Sequence, residues 1–340
     1  MNQRLPIAWK GFSTLYLEPG LRLSILKASG EYEEWMQMNF INLYASEYQT
    51  GGLIYKDGYL KLFYESTRPA VLRSFFRERA WRKEFCGHAA EALACELADG
   101  GYVLLDLDEY HVPGTYYAGR VHYWRRFLIW GVEENSFLAS SHDRFARLAS
   151  FRIPRAVLET AAGVRGEKIP NASPEPGVTL WLKRGLFRRI AYEPYAVYRQ
   201  LAQYQHANNV QHTVHADGAK TVDSFGFAFY DRWIDRLALG VDNLEKVDYR
   251  ALGMLAEQKE GLAGRLEYLS LRLPCRLLES SAREYRAMAA EARRLLGLML
   301  RFASAGQETH RQVWGDLVNS IRRIQLRDRA VTRKLVCSLE

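Results

Sequence analysis

The sequence predicts an α+β chain that is mixed in its first part and helical in its last. Residues 1–205 alternate strand-like apolar runs with helical segments, whereas from 222 to 340 the apolar residues recur at helical spacing. Between them HANNVQHTVHADGAKT (206–221) is polar, has few anchors and reads as a linker. A length of 340 residues is long for one core and fits two domains.

The elements follow in order. EYEEWMQMNFINLYAS (31–46) reads as a helix, with Trp35, Met38, Ile41 and Leu43 on an approximate apolar face. GGLIYKDGYLKLFYE (51–65) reads as a hairpin turning at Asp57-Gly58. HAAEALACELADGG (88–101) is a helix of strong formers that stops at two glycines. YVLLDLDEY (102–110) has buried-strand character and ends in acids, and HVPGTYY is a Pro-Gly loop. VHYWRRFLIWGVEENSFLASSHD (121–143) predicts a buried strand over Phe127–Val132, an acidic turn and a second short strand. IPRAVLETAAG (153–163) predicts a short helix, GEKIPNASPEPG (166–177) a loop, VTLWLK (178–183) a strand and EPYAVYRQLAQYQ (193–205) a helix.

The last part predicts four helices. Phe225, Phe229, Trp233 and Leu237 stand four apart; Leu252, Leu255, Leu262, Leu266 and Leu269 mark a second stripe. Ser281 and Glu284 have capping-box spacing, and Trp314, Leu317, Ile321 and Ile324 point inward from the last segment.

An apolar fraction of 48% and a charged fraction of 25% are those of a globular protein. No run approaches 18 apolar residues, so no membrane span is expected, and the first twenty residues lack signal-peptide features. Cytoplasmic location is the expectation. Cys86, Cys95, Cys275 and Cys337 form no CxxC pair, which fits reduced thiols. The net charge of +8 is carried by arginines interleaved with acids, and no nucleic-acid module is legible, so nucleic-acid binding is not expected.

Several residues could carry chemistry. Asp106, Asp108 and Glu109 end one strand, where alternation puts Asp106 and Asp108 on one face; paired carboxylates there could bind metal or exchange a proton, though such groups commonly orient a loop. His206, His212, His215 and Asp217 have chelating residue types but lie in the polar stretch. Cys86, two residues before His88, precedes a helix, where a thiolate nucleophile is favoured, although a small buried cysteine is the commoner case. No metal ion and no cofactor are expected.

The order of elements around 121–143, with His122, Tyr123, Trp124, Arg125, Leu128, Ile129, Gly131 and Glu133, resembles the papain-like cysteine peptidase fold of bacterial double-glycine-leader peptidases. It resembles more closely the N-terminal domain of the butirosin-biosynthesis H-type acyltransferase and related proteins of nonribosomal peptide and polyketide gene clusters. Those relatives read roughly H-x-x-H-x-x-L-[IV]-x-G-[YV]-[DE] here. LDEYHVP (107–113) is similar to the family's segment before that strand, and QKEGLAGRLEYL (258–269) to a helix of its C-terminal domain. The resemblance implies a papain-like domain over 1–205 and a helical domain over 222–340.

Three departures accompany it. Arg125 stands where the pattern has its second, catalytic-type histidine, and a guanidinium cannot serve as a base. The segment 17–35 holds no cysteine, leaving Ser24 as the nucleophile-like residue there. Ser140 and Ser141 occupy the place of an orienting Asp or Asn. His122 does not simply replace residue 125, because three strand positions separate them by about 10 Å and put them on opposite faces. A site rebuilt from Ser24, His122 or His142 stays open.

The expected function is an accessory role in specialised-metabolite biosynthesis, binding a carrier-tethered acyl or peptidyl chain or its product through Arg125, Arg126, Asp108 and Ser140. The alternatives are an active acyltransferase or peptide-releasing enzyme using Ser24, His122 or Cys86, and a scaffold that dimerises through the helical domain. The expected partner is a carrier protein or its thioester.

Overall fold

Near-continuous apolar runs in Tyr102–Asp108 and Trp124–Glu133 build the central strands of a mixed α and β chain with a helical C-terminal region. The computed structural model describes residues 2–8, 17–39, 41–50, 60–64, 69–81, 89–144, 147–163, 177–185, 191–207, 210–214, 220–239, 248–302 and 310–339. In chain order these hold β1 (Gln3–Arg4), α1 (Leu17–Ser29), α2 (Glu33–Met38), β2 (Leu43–Thr50), β3 (Leu60–Tyr64), α3 (Pro69–Ser74), β4 (Phe76–Ala80) and α4 (Ala89–Ala98). There follow β5 (Tyr102–Asp108), β6 (Trp124–Glu133), β7 (Ser136–His142), β8 (Leu148–Pro154), α5 (Arg155–Gly163), β9 (Val178–Leu182) and α6 (Pro194–His206). The last are β10 (Val210–Val214), β11 (Lys220–Phe225), α7 (Ala228–Leu239), α8 (Arg250–Ser270), α9 (Arg276–Phe302) and α10 (His310–Leu339).

The chain divides into two units, 1–33 with 69–189 and 34–68 with 190–340. This differs from an expected boundary at 206–221. The first unit is an antiparallel sheet in the order β4-β9-β5-β6-β7-β8, with β1 paired to the far end of β6. Val103, Leu107, Phe127, Ile129, Phe137 and Ala139 form one core with Leu93 and Leu97 of α4 and Leu158 and Ala161 of α5. α1 lies against β6 and β7. The glycines that end α4 act as the sequence predicts: Gly100 takes φ 75°, and the N–H groups of Gly100 and Gly101 return to the carbonyls of Leu97 and Glu96. At the other end of α4, the Glu159 carboxylate accepts the N–H groups of Ala89 and Ala90 at 3.2 and 2.9 Å.

The second unit pairs a four-stranded sheet, β10-β11-β2-β3, with the helices. Here the helix expected over 31–46 ends at Met38, and Leu43 onward is strand. The apolar spacing is overridden because β2 is hydrogen-bonded on both sides, by β3 and by β11. The expected linker 206–221 likewise holds β10 and the start of β11, paired from Val210–Ser224 to Val214–Lys220. Its polar residues suit an edge strand, where Gln211 and His212 face solvent. Phe225 therefore closes a strand, and the helical stripe runs through Phe229, Trp233 and Leu237, all buried. Ser281 caps nothing, because α9 begins at Arg276. The turn expected at Asp57-Gly58 lies outside the described residues.

α8 buries three polar residues of the segment 258–269. Gln258 donates to the Ile41 carbonyl at 2.7 Å and Arg265 to those of Asn39 and Met36 at 2.5 and 3.3 Å. Lys259 pairs with Asp328, whose Oδ2 also accepts the hydroxyls of Tyr204 at 2.7 Å and Tyr230 at 3.0 Å. Joining side chains of all four helices, such a buried network favours one packing of α6, α7, α8 and α10. Among the described residues no helix is long and apolar enough to cross a membrane.

Candidate functional site

β5 and β6 pair Asp108 with Trp124, Leu107 with Arg125 and Asp106 with Arg126, so polar residues collect where β5 ends and β6 begins. A 3₁₀ turn, Glu109–His111, leaves β5, and Asp108 caps it. Asp108 Oδ1 accepts the backbone N–H of Tyr110 and of Tyr123, both at 3.1 Å, which ties the two arms of the loop together. Asp108 Oδ2 lies 2.5 Å from His122 Nδ1 and 3.7 Å from His111 Nε2. The carboxylate is fully buried, while the two imidazoles keep 37% and 25% of their side-chain surface. The Tyr110 ring stacks on His122 at 4.3 Å and meets His111 edge-on at 5.1 Å. Asp108, His111 and His122 thus present ligand-type atoms that all lie within 4.8 Å of one another. An imidazole oriented by a buried carboxylate can hold a proton at a fixed place or serve as a metal ligand.

The arginines are matched from within the chain. Arg125 Nε stands 2.5 Å from Glu109 Oε1, without the alignment of a hydrogen bond, and its guanidinium lies over the Tyr123 ring at 5.3 Å. Its Nη1 is 3.5 Å from His142 Nδ1. Burial pushes the Glu109 carboxyl up to about 7, against the pull of Arg125. Arg126 Nε meets Asp106 Oδ1 at 3.1 Å. Asp106 and Asp108 therefore serve different partners.

Ser140 is fully buried and accepts the Trp130 indole N–H at 2.9 Å; Ser141 donates to the Arg126 carbonyl at 3.0 Å. Trp130 is the extra residue of a bulge between Ile129 and Gly131, which turns its indole toward Ser140. Ser24 is buried within α1, where its hydroxyl donates to the Leu21 carbonyl at 2.6 Å. Cys86, His88, His215 and Asp217 lie outside the described residues, and His206 and His212 are exposed.

The structure thus joins His122 and Asp108, two of the residues singled out from sequence, and adds His111. That histidine is not among the residues singled out from sequence; the spacing Asp-x-x-His at 108–111 is the signal that marks it, since one 3₁₀ turn brings residues i and i+3 to the same side. Glu109 as the partner of Arg125 has no sequence signal of its own. No protein-family model and no curated protein matches this chain.

Proposed function

We propose that the chain is a non-hydrolytic accessory protein of specialised-metabolite biosynthesis, of the nonribosomal peptide or polyketide kind, which binds a carrier-tethered acyl or peptidyl chain or its product. In this reading the first unit is a papain-like domain whose peptidase corner has been rebuilt. The observation that carries it is the Arg125–Glu109 pair. Where the family pattern has its catalytic histidine stands a guanidinium that keeps its proton, matched by a buried carboxylate of the same chain. Ser24 points the same way, since its hydroxyl is buried and bonded within its own helix. With both arginines matched internally, the surface left for a ligand is the rim of the β5–β6 loop. Tyr110, Tyr116 and Val121 are exposed there beside His122, and aromatic faces with an apolar neighbour suit an acyl chain.

A second reading is acyl transfer, favoured by the Asp108–His122 contact of 2.5 Å, which would orient the imidazole to take a proton from an amine or hydroxyl acceptor. Titration of the full chain with an octanoyl-pantetheine thioester separates the two. Binding without thioester consumption, weakened about tenfold by Tyr110→Ala with Tyr116→Ala, is the expected result. Consumption that needs an amine acceptor and disappears in His122→Ala establishes acyl transfer instead. Absence of binding overturns both.

A further inference from the structure

We propose that Asp108, His111 and His122 bind a single divalent transition ion of the size and ligand preference of Zn(II). Two imidazoles and one carboxylate are a donor set that such ions take, with a fourth position left to solvent or another ligand. The three groups come from the end of one strand, the 3₁₀ turn after it and the residue two before the next strand. Their geometry is fixed by more than their own contacts. Asp108 Oδ1 is held by two backbone N–H groups, so Oδ2 is the oxygen turned to both imidazoles. Tyr110 packs against both histidine rings and limits their rotation. Such outer contacts are what orient ligands in a metal centre.

The spacing also fits. A tetrahedral ion with bonds of about 2.0–2.1 Å holds its ligand atoms roughly 3.3 Å apart. Here the Asp108 oxygen is 2.5 Å from one imidazole nitrogen and 3.7 Å from the other, values on either side of that spacing. Binding widens the first contact and draws in the second, each by less than about 1 Å, within the reach of small χ adjustments. The carboxylate is fully buried while both imidazoles keep some surface, so the centre has a protected floor and an accessible side. The neighbouring cation, Arg125, is turned to the Glu109 carboxyl.

This site does not depend on the acyl-chain reading, which is tested by thioester binding to metal-free protein. The metal test uses the full chain, stripped with a chelator and titrated with Co(II), whose ligand-field absorption reports coordination, followed by competition with Zn(II). One Co(II) per chain with tetrahedral intensity, displaced by Zn(II), is expected. His111→Ala and His122→Ala each weaken binding by about tenfold or more, a loss of the size seen when metal-site partners are removed. His206→Ala with His212→Ala, at exposed histidines elsewhere, leaves it unchanged. His111 is the decisive position, because its contact with Asp108 is loose and its loss spares the fold; near-UV circular dichroism verifies this. The proposal is overturned if the wild-type chain takes up no Co(II), or if uptake survives in the folded His111→Ala/His122→Ala double variant.

Discussion

Lys61 and Lys259, of the unit formed by 34–68 and 190–340, are buried, and they differ in how their charge is met. Lys259 touches Asp328 and lies over the rings of Tyr204, Tyr230 and Tyr285 at 5.2, 5.7 and 5.6 Å. Burial lowers its proton affinity, and Asp328 opposes that. Lys61, on β3, is pulled down to about 7, by burial first and then by Arg250, with Asp248 pulling back. An unfolded lysine keeps a value near 10.5. Between these values the unfolded chain holds more protons than the folded one, so stability rises as pH climbs from about 7 towards 10.5. Below about 7 the folded protein carries the buried charge at full cost. Lys61→Met is therefore expected to be about 1–3 kcal/mol more stable than wild type near neutral and mildly acidic pH, with the gap narrowing as pH approaches 10. Urea unfolding over a pH series measures this; a gap that does not change with pH refutes it.

At the scale of elements, junctions carry the tightest constraints. Between β11 and α7, Gly226 has φ 56°, and a Cβ there would stand 2.6 Å from the Ala207 carbonyl oxygen and 2.7 Å from that of Tyr204. Both are backbone atoms at the end of α6, and the next residue, Phe227, donates its N–H to Tyr204 at 3.2 Å. Neither side can yield without breaking that turn. Gly226→Ala is expected to lose about 2–4 kcal/mol, combining strain at positive φ with steric overlap. Gly30, with φ 67° and nothing within 4 Å of its would-be Cβ, is the comparison. Gly30→Ala should lose only about 1 kcal/mol, the conformational part alone. Thermal melts of the two variants test the difference, and equal losses would show that the overlap at Gly226 is relieved by movement.

Over the whole molecule, the second unit draws on both ends of the sequence. β2 lies between β11 and β3 in one sheet, and the carbonyls of Met36, Asn39 and Ile41 receive the buried polar groups of α8. A fragment of residues 222–340 keeps the four long helices but lacks these partners. It would leave Gln258 and Arg265 without acceptors, and each such buried group costs about 1–3 kcal/mol. The fragment is expected to melt without a cooperative transition. Joining residues 34–68 to 190–340 through a short flexible linker is expected to restore one. Circular dichroism melts distinguish these outcomes, and a cooperative melt of the short fragment would show that the helices suffice.

Residue order alone sets the local elements whose signals come from nearby residues. These include α4 with its double-glycine stop, β5, the hairpin of β6 and β7 with its acidic turn, and the four C-terminal helices. It also marked His122 and Asp108 as chemically capable. The assembled fold makes 43–50 and 210–214 strands, because their hydrogen-bond partners lie elsewhere in the chain and their own patterns are helical or polar. It likewise decided that Arg125 meets Glu109 and that His111 joins Asp108 and His122. Strand register and the winding of one short turn set those distances, and side-chain chemistry at a few ångströms is governed by distances that residue order does not contain.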